Sequence, residues 1–241
     1  MAVASKPTNI DYVNTYFQIP ILTPIRGEPT FETLRVLCDE IKANSGDVAT
    51  ILGGGNFGYL GLVLSPAEYA RVSPETPFVR PTNPPPLVIP QNTTQHAATR
   101  MREDHTEELR QFRECEDVEA ALKKQIVAAI EDKYTKFYRN RYTQRVQGTV
   151  AAFLTALFQR YGFISQQQLS AYEKEVCACS YNIADPFSTV YDMINELQLV
   201  GEAAGTPYTD LQLVSYATEI LCATKDFNDG IKAWNRLTPA A

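Results

Sequence analysis

The sequence predicts a mainly α-helical protein preceded by a proline-rich, partly extended N-terminal arm. Three observations carry that expectation. Twelve of the 15 prolines fall in the first 90 residues and none lies between Gln91 and Asp185, so only the later chain is free to run in long helices. After Thr93, apolar residues recur at helical spacing almost to the end. Several of these runs begin with a hydroxyl residue followed three positions later by Glu or Gln, the signature of a capping box.

The first helical run is "TFETLRVLCDEIKAN", with Phe31, Leu34, Leu37, Cys38 and Ile41 on one face. "GGGNFG" (Gly53 to Gly58) then matches G-x-G-x-x-G, a dinucleotide-binding fingerprint that works only between a strand and a helix N-terminus. Upstream only the short "DVATIL" is left to be a strand. Downstream, "YLGLVLSP" reads as an extended segment that ends at Pro66, so no long helix starts at Gly58. The next helix is expected to begin with Ser65 as N-cap, Pro66 in the first turn and Glu68 closing a capping box. The glycines therefore read as a turn, and no cofactor is expected.

"TPFVRPTNPPPLVIPQNTTQ" follows, and its prolines exclude a helix. Its apolar residues Phe78, Val79, Leu87, Val88 and Ile89 exceed what a solvated linker carries, which predicts an arm lying on another surface, a neighbouring subunit in an assembly. Then come "HAATRMREDHTEELRQFRE", sparsely apolar, and "DVEAALKKQIVAAI", with Val118, Ala121, Leu122, Ile126 and Ala129 on one face. "GTVAAFLTALFQRYG" aligns Val150, Phe153, Leu154, Leu157, Phe158 and Tyr161, and Gly162 stops it. Ser165 with Gln168 and Thr209 with Gln212 mark two further helix starts. Asp185 with Pro186 marks another, for a helix burying Phe187, Val190, Ile194 and Leu197. A last helix aligns Phe227, Ile231 and Trp234, with Trp234 as a core residue. The expected division is 1–92 for the glycine loop and arm, 93–181 for a first helical lobe and 182–241 for a second.

Charge is uneven. The stretch 93–181 holds 13 Lys/Arg against 12 Asp/Glu, whereas 182–241 holds 3 against 8 and is acidic, within a chain of net charge −6. Lys123, Lys124, Lys133, Lys136, Arg139, Arg141 and Arg145 cluster with two acids only, interleaved with Tyr134, Phe137, Tyr138 and Tyr142. Cations beside rings suit single-stranded RNA, the cations meeting phosphates and the rings meeting bases. The ring spacing of i, i+3, i+4 and i+8 also fits one helix with its aromatics in the core, and it favours burial.

Enzyme chemistry finds little material. No G-x-x-x-x-G-K-[ST], H-E-x-x-H or G-x-S-x-G occurs, and two histidines leave few general bases. "CAC" at Cys177 to Cys179 lacks the second pair or the histidines that a zinc site needs, and five scattered cysteines read as reduced thiols. No run approaches the roughly 18 apolar residues of a membrane span. "MAVASKPTN" has no apolar signal core, and Ala2 stands where myristoylation requires glycine. The expectation is a cytoplasmic non-enzyme with no membrane partner.

The order "GEPTFETLRVLCDEIKAN", "LGGGNFGYLGLVLSPAEYARV", "TPFVRPTNPPPLVIP" and a helical tract ending "FNDGIKAWNRL" resembles the Gag capsid region of copia-type LTR retrotransposons, those of diatom-like elements in particular. The likeness spans nearly the whole chain as a succession of short segments. "DPFSTVYDMINELQLVGEAAGTPYTDLQLVSYATEIL" is similar to the opening of the C-terminal lobe in retroviral and retrotransposon capsids, with Asp185, Pro186, Phe187, Val190, Tyr191 and Ile194 in the first helix and Thr209, Gln212, Leu213 and Leu221 in the second. The resemblance implies two helical lobes of capsid type and self-assembly into a particle enclosing element RNA; the apolar arm residues and Tyr191 are the candidate subunit contacts. A captured Gag acting as an RNA- or peptide-binding adaptor is the alternative. The C-x₂-C-x₄-H-x₄-C zinc knuckle of a full Gag is missing, so either this is a processed or truncated capsid region or RNA contact relies on other surfaces, and weak RNA contact is expected through this region.

Overall fold

The computed structural model describes residues 11–224 together with Phe227 and Gly230. It is mainly helical: α1 (Tyr12–Thr15), α2 (Phe31–Asp47), α3 (Pro66–Val72), α4 (Gln95–Ala129), α5 (Asp132–Thr135), α6 (Val150–Tyr161), α7 (Gln166–Ala178), α8 (Ser188–Ala203) and α9 (Asp210–Ala223). No strand occurs among the described residues, only isolated β-bridges at Ile25–Ile130 and Arg139–Val146. The expected helix at Phe227, Ile231 and Trp234 falls largely outside the described residues, Ile231 and Trp234 wholly so.

The chain divides into two compact units, Met1–Tyr161 and Gly162–Ala241. This corrects the expected boundaries at 92/93 and 181/182. The first fails because the described residues before 93 share their core with the helices that follow. Leu34, Leu37 and Ile41 of α2 pack in one cluster with Val118, Leu122 and Ile126 of α4 and Val150, Phe153 and Leu157 of α6. The second fails because Val176 of α7 shares a core with Val190 and Leu197 of α8 and Ile220 of α9.

In the first unit a buried amide network fixes the N-terminal segment. Asn44 Oδ1 accepts from the Ile19 N–H at 2.8 Å, and its Nδ2 donates to Ile19 O at 2.9 Å and to Gln125 Oε1 at 3.0 Å. Gln125 Nε2 donates to the carbonyls of Ile19 and Pro20. These bonds satisfy a part-buried loop backbone, in a segment from which Phe17, Leu22 and Ile25 enter the core.

The two helical runs expected between His96 and Ile130 form one continuous helix, α4, because nothing between them ends a helix. Its exposed part carries ion pairs from Arg110 to Glu107 and Glu114 at i,i+3 and i,i+4 spacing. α6 begins at Val150 and buries Val150, Phe153, Leu154 and Leu157 as its period predicts. The capping boxes at Ser65, Ser165 and Thr209 all form, each with reciprocal side-chain and backbone bonds.

The expected extended segment "YLGLVLSP" is not extended, and "DVATIL", the stretch left over for a strand, forms none. "DVATIL" is the end of α2, a bend and a 3-10 turn (Leu52–Gly54), and "YLGLVL" holds a second 3-10 turn (Leu60–Leu62). The Tyr59 N–H donates to Ser45 O at 2.8 Å, which folds the segment back on the end of α2 instead of into a sheet.

In the second unit α7, α8 and α9 pack pairwise around Val176, Tyr181, Val190, Leu197 and Ile220. The start of α8 differs from expectation. The helix opens at Ser188, its N-cap Phe187 has no side-chain capping bond, and Asp185 and Pro186 lie in the preceding turn. The Tyr181 hydroxyl donates to Asp185 O at 2.6 Å, so this turn is held from its own side.

Candidate nucleic-acid and assembly surfaces

The glycine loop is a packed turn. Gly53 has φ +60°, and a Cβ there would lie 2.2 Å from the Tyr69 hydroxyl, which donates to Gly53 O at 3.3 Å. Gly58 has φ +51°, and its Cβ would lie 2.3 Å from Gly46 O. The glycines answer to positive φ and to close approach. The loop leaves a helix and enters a 3-10 turn, which is not the strand-to-helix setting that presents N–H groups to a pyrophosphate.

The basic tract does not form one helix. After α5 the chain makes a 3-10 turn (Lys136–Tyr138) and then a tight reversal in which Arg139 faces Val146. Asn140 builds that reversal. Its Oδ1 accepts from the N–H groups of Tyr142 (2.8 Å) and Thr143 (3.1 Å), and its own N–H donates to Arg145 O at 2.8 Å. The four rings therefore separate. Tyr134 lies edge-on to Tyr161, with centroids 5.5 Å apart, and Tyr138 packs on Phe153 at 5.4 Å while donating to Ala156 O at 3.1 Å. Phe137 is 61% exposed and Tyr142 91%. Tyr134 and Tyr138 are thus half-buried, and the expected burial is overturned for the other two: Phe137 lies in the 3-10 turn beside the inward-packed Tyr138, and Tyr142 lies in the reversal.

The seven cations separate as well. Lys123 is held by Gly148 O and by Glu119 at 3.6 Å. Lys124 sits with Asp11, Ile21 and Gln125 on the lining of a shallow cavity of ≈ 260 Å³. Lys133 pairs with Glu131 at 2.8 Å, and that hydrogen bond raises its pKa and lowers that of Glu131. Arg139 pairs with Asp132 at 2.7 Å and donates to Thr135 Oγ1. Among the described residues Lys136, Arg141 and Arg145 have no ion-pair partner, and they flank the two exposed rings. Arg160 at the end of α6, outside the charge run, joins them with its guanidinium 4.7 Å from the Phe137 centroid. Sequence reading missed Arg160 because its proximity is set by the packing of α6. The turn-forming asparagine inside "RNRYTQR" was the available signal for the exposed rings.

No family model matches this chain. Nor does any curated protein or any solved structure.

The arm, 77–90, carries no helix or strand, and part of it is tied to its own unit. Phe78 is half-buried against Tyr59 and Tyr69, with ring centroids 6.4 and 5.8 Å away, and it covers Gly61, where a Cβ would collide with it. Arg80 Nη1 donates to Glu119 Oε1 at 3.0 Å, and Nη2 reaches Glu119 and Glu116. The hydrogen bonds to Glu119 raise the Arg80 pKa. Leu87 and Ile89 are half-buried, and Val79 and Val88 are exposed. Of the arm's five expected contact residues, Phe78 is thus occupied within its own unit.

In the second unit Tyr191 is 63% exposed and stands edge-on to Phe187, with centroids 5.6 Å apart. Phe187 was expected in the core. It is exposed instead because the late start of α8 leaves it in the flanking turn. Leu211 and Val214 on α9 and Ile183 before α8 are exposed too. No described helix is long and apolar enough to cross a membrane.

Proposed function

We propose that this chain is the capsid region of a retrotransposon Gag, a non-enzymatic structural protein whose two units act as the two lobes of a capsid and assemble into a particle enclosing element RNA. The observation that carries this reading is the exposed apolar set of the second unit: Tyr191 and Phe187 beside each other, with Ile183, Leu211 and Val214 also uncovered among the described residues. A small acidic unit that leaves several large apolar side chains in water has surface to offer a neighbour. Charge opposes close approach of such units at long range, and salt screens it beyond roughly 8 Å at physiological strength, so assembly is expected to strengthen with salt. Negative-stain imaging and sedimentation across protein and salt concentrations test the reading. Large oligomers are expected, reduced by Tyr191→Ser with helicity unchanged. A concentration-independent monomer counts against a shell.

A second reading, a captured Gag working as an RNA-binding adaptor without a particle, is favoured by the unpaired cations and exposed rings of the first unit. It would survive a monomeric result.

A further inference from the structure

We infer that Lys136, Phe137, Arg141, Tyr142, Arg145 and Arg160 form a binding surface for single-stranded nucleic acid, the two rings stacking on bases and the cations meeting phosphates. The inference rests on the RNA-binding part of the proposed function and is independent of any shell.

Charge comes first. Between Glu131 and Tyr161 there are six Lys/Arg against two Asp/Glu, a local +4 in a chain of net −6. The two acids are taken by Lys133 and Arg139, so the outward charge falls to the four remaining cations. Polyanions are the ligands that such a segment selects.

The rings then separate one polyanion from another. Folding explains Tyr134 and Tyr138, which pack into the unit, but it gives no role to Phe137 and Tyr142. An exposed phenylalanine held by its neighbours, with Arg160 at 4.7 Å and Lys136 at 5.1 Å from its centroid, places positive charge at the ring itself. Tyr142 stands in the Asn140 reversal, whose stem begins two residues after Phe137. A ring flanked by cations matches the repeat of a single strand, in which each base face lies beside a phosphate. A duplex hides its base faces and would leave both rings without partners. An anionic membrane or an acidic protein would use the charge without needing stacking.

Fluorescence anisotropy of the full chain tests this, using a labelled oligouridylate of about 12 nucleotides, within the usual site size. An RNA duplex of the same length and phosphatidylserine vesicles serve as competitors. The single strand is expected to bind more tightly than the duplex and to resist the vesicles. Phe137→Ala and Tyr142→Ala are each expected to weaken binding about fivefold or more, with Phe137→Trp restoring it. Both sites are exposed, so helicity and thermal midpoint should hold. Replacing Lys136, Arg141, Arg145 and Arg160 by Gln is expected to flatten the salt dependence, by about 0.7 in log–log slope for each phosphate that no longer meets a cation. Equal binding of duplex and strand, full competition by vesicles, or alanine variants that bind like the parent would each overturn the inference. Sedimentation of the double alanine variant separates the two claims. Lost binding with assembly intact supports the surface and leaves the shell standing, whereas a parent chain that binds the strand without assembling supports the surface and removes the shell alone.

Discussion

Glu119 offers the sharpest test of how the first unit is held. Its side chain is 3% exposed and accepts from two nitrogens of Arg80 on the arm and, at 2.9 Å, from the Val150 N–H that opens α6; Lys123 lies 3.6 Å away. One carboxylate thus ties the arm, α4 and α6 together. Glu119→Ala removes these charge-assisted bonds. It also strands the Val150 N–H, which as a first-turn donor has no partner within its own helix. Breaking a buried pair from one side typically costs about 3–5 kcal/mol, and that range is expected here. Arg80→Ala is expected to cost less, about 1–3 kcal/mol, because Glu119 keeps Lys123 and the Val150 N–H. The assay should report on this unit alone, since two units need not unfold together. Cys115 supplies the probe. It is buried one turn before Glu119, and burial pushes its thiol up to about 11, so it labels only on opening. Urea-dependent alkylation of Cys115, read by mass spectrometry, gives the opening free energy of each variant. A cost below about 1 kcal/mol for Glu119→Ala, or equal costs for the two variants, would refute the proposed division of labour.

Two further outcomes follow from the same unit. Burial pushes the phenols of Tyr12 and Tyr59 up to about 12; since both ionise near 10 when unfolded, the stability they contribute is fully present below about pH 10 and is lost as pH rises towards 12, with Cys115 adding to the fall from about pH 9. Tyrosinate absorbance should show a late-ionising class that shrinks in Tyr12→Phe, and a single step near pH 10 in the folded protein would contradict this. Gly58→Ala should destabilise by about 1–3 kcal/mol, from positive φ and a Cβ 2.3 Å from Gly46 O; Gly46→Ala, inside α2 with open space around its Cβ, should be neutral or stabilising, and equal melting temperatures for the two variants would contradict the packed-turn description.

How much of this was legible depended on the range of the forces involved. Caps are local, so Ser65, Ser165 and Thr209 could be read from four-residue windows. The α6 period was legible because its apolar face is unbroken over three turns. The domain division was not legible, since it depends on partners far apart: Gln125 bonding to Ile19 and Pro20, Glu131 accepting from the Gly27 N–H, and Arg80 reaching Glu119. The start of α8 was misplaced because Asp-Pro is a good cap in isolation, while here Tyr181 holds the turn one step earlier in the chain. For the basic tract the charges were plain, but which of them are spent was not. Lys123 is paired with Glu119 and held by the Gly148 carbonyl, and Arg139 is paired with the acid seven residues before it.

The fate of the rings follows from geometry that spacing alone does not carry. Phe137 and Tyr138 are adjacent in a 3-10 turn, where successive side chains point about 120° apart. If one faces the core, its neighbour cannot. Tyr138 is fixed inward by Phe153 and by its bond to Ala156 O, and Tyr134 by Tyr161, whose own hydroxyl lies 3.4 Å from Tyr134 O. That packing leaves Phe137 outward and holds the backbone that carries it. An exposed ring on a loose loop would lose conformational entropy on binding a base, whereas one whose neighbours are already packed has lost much of it in folding. The packed tyrosines and the exposed phenylalanine are therefore parts of one arrangement. Tyr138→Ala, which leaves Phe137 and every cation in place, should weaken single-strand binding through lost ordering of the turn.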